Sequence, residues 1–226
     1  MTDLWFEEYP LLIERLRDAS SSPNIENKEE FLEGIELLDL SDCGLDSVPS
    51  IVKCMKNLKI LDLSNNEISG EITANIFPPK LTMLNLASNK ISSFSFEGGA
   101  RSFYRSLYDL NLNNNELSEF PKMLFMAIGL MSLGLESNRI EKVDRTVRIP
   151  VSLMELNLSR NQINEVYSGK SGISKCVFVD LSHNEIEEIS DRFFKGRIKT
   201  LNLIGNPIKD FDFLVEARKN GVSVII

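Results

Sequence analysis

The chain has 226 residues, with 33 Asp and Glu against 25 Lys and Arg, a net charge of −8. Phosphate backbones and anionic headgroups repel an acidic surface, which disfavours nucleic acid and membranes as main partners. No stretch reaches the roughly 18 consecutive apolar residues of a membrane-spanning helix, and Met1-Thr-Asp-Leu-Trp-Phe-Glu-Glu8 lacks the basic and apolar regions of a secretory leader.

In residues 1–34, Leu4, Trp5, Leu11, Leu12 and Leu16 recur at roughly helical spacing, with Glu and Arg between them. Ser20-Ser-Ser-Pro23 ends that helix. Asn27-Lys-Glu-Glu30 then reads as the capping box of a second short helix, closed by Gly34. These helices are expected to cap the first element of the array that follows. A partner-binding amphipathic helix is the functional alternative.

From residue 35 the chain repeats itself. The clearest copy is Leu58-Lys-Ile-Leu61-Asp-Leu63-Ser-Asn-Asn66-Glu-Ile68, with leucine at positions 1, 4 and 6, Asn at 9 and an aliphatic residue at 11. Position 1 recurs at Ile35, Leu58, Leu81, Leu107, Leu130, Leu153, Cys176 and Ile198, at spacings of 23, 23, 26, 23, 23, 23 and 22. Positions 4 to 6 alternate apolar, polar, apolar, as in Leu38-Asp39-Leu40, which is the period of a half-buried strand. A strand this short cannot bury its apolar face by itself, so the copies must stack into a parallel sheet with one continuous core. Position 9 is Asn in seven copies and Cys43 in the first. An inward amide both donates and accepts, so these asparagines are expected to hold the turns rather than bind a ligand.

Three residues after position 11 stands a second apolar column, Val48, Phe94, Phe120, Val143, Val166, Ile189 and Phe211, broken at Glu71 with Ile72 beside it. These residues are expected to plug the convex side. The segment from Pro121 to Ile128 suggests a short helical turn, whereas Phe77-Pro-Pro79 is too Pro-rich for one. The third repeat carries an aromatic and basic insertion, Phe94 to Arg105, which either packs or binds. After Asn206-Pro-Ile208, residues 210–220 read as a helix stopped by Gly221, and Val222-Ser-Val-Ile-Ile226 as a β-prone tail.

Eight such copies resemble the leucine-rich-repeat family, and the Gly-Asn-Pro-Ile, helix, Gly-Val ending is similar to C-terminal caps of its intracellular members. The resemblance implies an α/β fold, a right-handed leucine-rich-repeat solenoid curved like a horseshoe, with a parallel concave sheet. The expected divisions are an N-terminal helical cap over 1–34, eight repeats over 35–208 and a C-terminal cap over 209–226. Both ends read as capped, so a complete domain is expected.

Little in the chain carries chemistry. Ser168-Gly-Lys-Ser171 matches the end of a phosphate loop, but Asn164 stands where its first glycine belongs. His183 is the sole histidine, and Asp180 and Ser159 beside it are ordinary fillers of the repeat. One His and three scattered Cys do not make a zinc site. Neither catalytic residues nor a metal, cofactor or small-molecule substrate is therefore expected. Cys54 and Cys176 are read as packed, and an odd, scattered set of thiols suits a reducing, cytoplasmic compartment.

The outward positions carry the remaining information. An apolar diagonal runs through Leu37, Ile60 and Met83 at position 3, then Tyr108, Met131, Met154 and Val177 at position 2, with Phe178 beside it. Apolar surface of that extent marks partner sites. Acids cluster at repeats one and two, with Arg160 and His183 toward the other end, which suggests a protein partner with a basic patch over those first repeats. A non-catalytic adaptor or regulatory subunit is expected, with a pathogen-secreted effector or other host-directed binding protein as the alternative.

Overall fold

A computed structural model describes residues 10–19, 28–167 and 172–226. The helices α1 (Pro10–Ala19) and α2 (Lys28–Glu33) come first. The strands, in chain order, are β1 (Leu37–Asp39), β2 (Ile60–Asp62), β3 (Ser69–Thr73), β4 (Met83–Asn85), β5 (Lys90–Ser95), β6 (Asp109–Asn111) and β7 (Ser132–Gly134). After them come β8 (Lys142–Val143), β9 (Glu155–Asn157), β10 (Glu165–Val166), β11 (Phe178–Asp180), β12 (Thr200–Asn202) and β13 (Ser223–Ile225). Helix α3 (Arg101–Ser106) lies in the third linker and α4 (Phe213–Lys219) after the last repeat. The first residues, the 20–27 segment with Asn27 of the expected capping box, and the phosphate-loop-like residues 168–171 lie outside the described residues.

Nine strands form one parallel sheet in the order β1-β2-β4-β6-β7-β9-β11-β12-β13. Eight are positions 3 to 5 of the eight repeats, and the tail adds the ninth. The position-4 and position-6 side chains point into a continuous core, where Leu38, Leu61, Leu110 and Leu156 are fully buried. Linkers of 3-10 turns cover the other side, with two short outer sheets, β3 beside β5 and β8 beside β10. The chain is a leucine-rich-repeat solenoid in architecture.

Three features explain why each strand stops after three residues. First, the position-5 side chain folds back on the chain: Ser41 donates its N–H at 2.9 Å and its hydroxyl at 2.6 Å to Asp39 Oδ1, and Asp62, Asn85, Asn111, Asn157, Asp180 and Asn202 each accept the N–H two residues on. Second, position 8 is left-handed in every repeat, at Asp42, Asn65, Ser88, Asn114, Ser137, Arg160, His183 and Gly205. A left-handed residue turns the chain off the sheet. Third, the position-9 Asn fastens the turn. Asn138, for example, accepts from Leu117 N–H of the preceding repeat and donates to the carbonyls of Leu112, Leu135 and Glu136.

The convex column holds with one correction. Phe94, Val143 and Ile189 are buried, Val48, Phe120 and Val166 are half-buried, and Ile72 is buried in place of Glu71. Phe211, expected as the last plug, is instead exposed, and Phe213 is buried, stacked on Phe194 at 5.8 Å. A helix starts at Phe213, so its period puts Phe213 and Ala217 on the inward side. The insertion in the third repeat is core: Phe77, Phe94, Phe96, Phe103 and Tyr104 form one aromatic cluster, and Tyr104 donates its hydroxyl to Phe96 O at 2.6 Å.

Repeat stacking also has a steric signature. A Cβ on Gly129 would lie 2.1 Å from Arg105 O in the preceding repeat. Gly129→Ala must therefore push two backbones apart, and we expect a loss of about 1–3 kcal/mol, typical of overpacking, read as a lower urea midpoint. An unchanged midpoint would mean that the repeats are spaced more loosely than described.

Candidate partner-binding surface

Side chains alternate across a strand, so the core leucines at positions 4 and 6 turn positions 3 and 5 to the concave face. The strand register fixes the neighbours along that face. At position 3 the row runs Leu37, Ile60, Met83, Asp109, Ser132, Glu155, Phe178 and Thr200. Position 5 forms a second, polar row, tied to the backbone as described above. Asn85 also donates to Asp62 Oδ2 at 3.0 Å, and Asn202 to Asp180 Oδ2 at 2.9 Å, which links neighbouring strands. The polar row is structural.

The expected apolar diagonal is present, with a gradient of exposure. Leu37, Met83, Tyr108 and Phe178 are exposed at 54%, 44%, 51% and 37%, large values for apolar side chains on a sheet. Ile60, Met131, Met154 and Val177 are only half-exposed. The latter three stand at position 2, which also holds the exposed Tyr108. Its carbonyl accepts both N–H groups that begin the next strand, as Tyr108 O does from Met131 and Ser132. Successive position-2 side chains therefore stand one strand spacing apart. The floor of the stripe is Met131, Met154 and Val177, and its exposed contacts are Leu37, Met83, Tyr108 and Phe178.

Three of the acids of repeats one and two have partners within the chain, and Asp42 is exposed. Glu36 pairs with Lys59 at 2.7 Å and Asp39 with Arg15 at 3.7 Å, while Asp62 accepts from Ser64 and Asn85. The Ser41 hydroxyl, more than its N–H or Arg15, holds the Asp39 carboxyl below the usual range. Arg160, with His183 proposed as a contact, is exposed and lies 3.6 Å from Glu136. Its left-handed backbone, like that of His183, makes both residues parts of the turn as well. The imidazole of His183 lies against Gly205, where a Cβ would meet Nδ1 at 2.6 Å.

Two acids that sequence reasoning passed over stand within the stripe. Asp109 and Glu155 occupy position 3 on either side of Ser132. Burial pushes the Asp109 carboxyl up, opposed by a hydrogen bond from Ser132 and helped by the charge of Glu155. Among the described residues, neither acid forms an ion pair. Their signal in the sequence was a break in the apolar row, visible only once position 3 is read across repeats.

The face offers no assembled chemistry. Ser159 donates to Asn157 Oδ1 at 2.7 Å, and Asp180 accepts from Ser182 and Asn202, so both serve the strand ends rather than His183. Among the described residues no cluster of His, Cys, Asp or Glu is placed to hold a metal, and no helix is long and apolar enough to cross a membrane. Burial pushes the Cys176 thiol up to about 12, which makes it inert. Cys54, expected to pack, is exposed at the end of the Ser50–Cys54 turn.

The geometry agrees with what the chain resembles. A family model described as Leucine Rich Repeat matches residues 57–78, the second repeat. Receptor-like protein 7 of Arabidopsis thaliana is 35% identical over 66 residues, covering 29% of this chain and 7% of that protein. This chain thus spans a small part of that relative's length. Among solved structures, an internalin of Listeria monocytogenes superposes with a TM-score of 0.74 at 21% identity, over 98% of this chain and 64% of that one. A Shigella effector leucine-rich-repeat domain superposes at 0.65 and 19% identity, over 99% of this chain and 93% of that one. At such identities the structural likeness carries the fold. Eight strands in register, the asparagine ladder and the matched repeat make the fold of this chain that of a leucine-rich-repeat solenoid.

Proposed function

We propose that the chain is a non-catalytic protein-binding module that docks a protein partner on its concave sheet, as an adaptor or regulatory subunit. One observation carries the proposal: the large apolar side chains of Leu37, Met83, Tyr108 and Phe178 stand exposed along the sheet, where water would otherwise select polar ones. Met and aromatic residues are the types that protein interfaces favour. The acids Glu36, Asp39, Asp42 and Asp62 at the first two repeats suit a partner with a basic patch there.

Three free, scattered cysteines support a reducing compartment such as the cytoplasm. A second reading, a bacterial effector or other host-directed binding protein, is favoured by the likeness to the Listeria internalin and the Shigella effector domain. Both readings use the same surface. Residues 1–34 and 209–226 are assigned as caps, supported by Leu16 of α1 joining the core and by β13 extending the sheet.

The test places a photo-crosslinking amino acid at Tyr108 on the sheet face or at Val151 in a linker, both exposed. The expected outcome is a specific protein adduct from position 108 and none from 151. Adducts from 151 only would move recognition off the sheet.

A further inference from the structure

The apolar stripe is interrupted at its centre, and the interruption indicates what kind of partner it selects. Between Met83 and Phe178 the position-3 row reads Asp109, Ser132, Glu155 on three adjacent strands. Two strand spacings set the backbones of the two acids about 10 Å apart. Ser132 between them is small, and Tyr108 and Met131 stand next to Asp109 and Ser132 at position 2 of those repeats. Of the other acids along this face, Glu36, Asp39 and Glu136 each have a cation within 4 Å, at 2.7, 3.7 and 3.6 Å, while Asp62 and Asp180 have no such cation and each accept from a Ser and an Asn of the chain.

Docking a purely apolar surface here would desolvate two like charges without compensation, which costs far more than the apolar contacts return. A cation in the same place reverses the balance. We infer that the partner presents an Arg or Lys side chain to Asp109 and Glu155 across Ser132, with its apolar flanks seated on Met83, Tyr108 and Phe178. This inference rests on the sheet face being the docking surface. Arginine suits the gap better, since its planar fork carries five donors and can bridge two carboxylates. The net charge of −8 steers such a segment toward the chain. Partial burial makes Asp109 a costly charge to carry unpaired, and a bound cation removes that cost.

The test is a selection of random peptides displayed on phage against the full chain. The best peptide is then synthesised and titrated by fluorescence anisotropy. The expected sequences carry a basic residue between apolar ones, and a scrambled peptide of the same composition binds more weakly. The isosteric pair Asp109→Asn with Glu155→Gln is expected to weaken binding by about tenfold or more, the scale of a lost charge-assisted contact. Its fold, checked by circular dichroism, is expected to be retained, because the amides keep the shape of the acids and an oxygen that can still accept from Ser132. A second variant, Met83→Ala with Tyr108→Ala and Phe178→Ala, separates the two levels. If it loses the peptide while the neutral pair binds as the wild type does, the sheet docks partners but the cation slot is wrong. If both variants bind as the wild type does, the docking surface itself is wrong. Selected peptides without a basic residue, no enriched peptide, or equal binding of the scrambled peptide would each overturn the slot.

Discussion

Asn115→Ala is expected to lower the stability of the chain by about 3 kcal/mol, the upper end for an orphaned buried donor. The amide sits in the middle of the ladder and is buried. Its Oδ1 accepts Ile91 N–H at 3.0 Å, and its Nδ2 donates to the carbonyls of Leu86, Leu112 and Asn113 at 2.9, 3.2 and 3.2 Å. These four bonds do not count equally. Leu86 O also accepts from Asn89, and Leu112 O from Asn138, so both carbonyls keep a partner in the mutant. The Ile91 amide is fully enclosed with its residue and loses the acceptor that serves it. Most of the loss therefore comes from one stranded donor, plus the cavity left by the side chain. The measurement is the urea midpoint at constant slope. A midpoint equal to wild type would show that the ladder decorates the turns without holding them.

The ladder was legible in the sequence because its spacing is nearly constant and its residue type nearly invariant across repeats. The strands were legible for the same reason, since Leu-x-Leu at positions 4 and 6 can bury only one face. What escaped was set by contacts between repeats rather than within one. Phe211 and Phe213 are equally good plugs in the sequence, and only the start of α4 decides between them. Met131 and Met154 match Met83 in type, yet they are half-buried and Met83 is exposed. Position 8 is left-handed throughout, and Asp42, Asn65, Asn114, His183 and Gly205 are types that favour that conformation, whereas Ser88, Ser137 and Arg160 are not and blur the signal. The partners of Glu36 and Asp39 lie one repeat away or on α1, so the sequence order of the acids does not reveal these pairs.

These corrections change which substitutions can test recognition. A charge at half-buried Met131 or Met154 would probe the core along with the surface. Leu37, Met83, Tyr108 and Phe178 avoid that difficulty, being exposed and making no hydrogen bond through their side chains among those described.

The central claim is that the stripe binds a protein partner and does little for the fold. Its most direct test measures two quantities on one variant, Met83→Ala with Tyr108→Ala and Phe178→Ala, against the protein captured by the crosslinker at position 108. Truncating anchors at the centre of an interface costs about 2 kcal/mol or more each. The Kd is therefore expected to rise at least about a hundredfold, even if the three sites are far from additive. Exposed substitutions away from special features shift stability by about 0.5 kcal/mol, so the Tm should stay within a few degrees of wild type. Lost binding with a retained Tm is the result this account predicts. Wild-type affinity in a folded triple variant would contradict it and place recognition off the concave sheet.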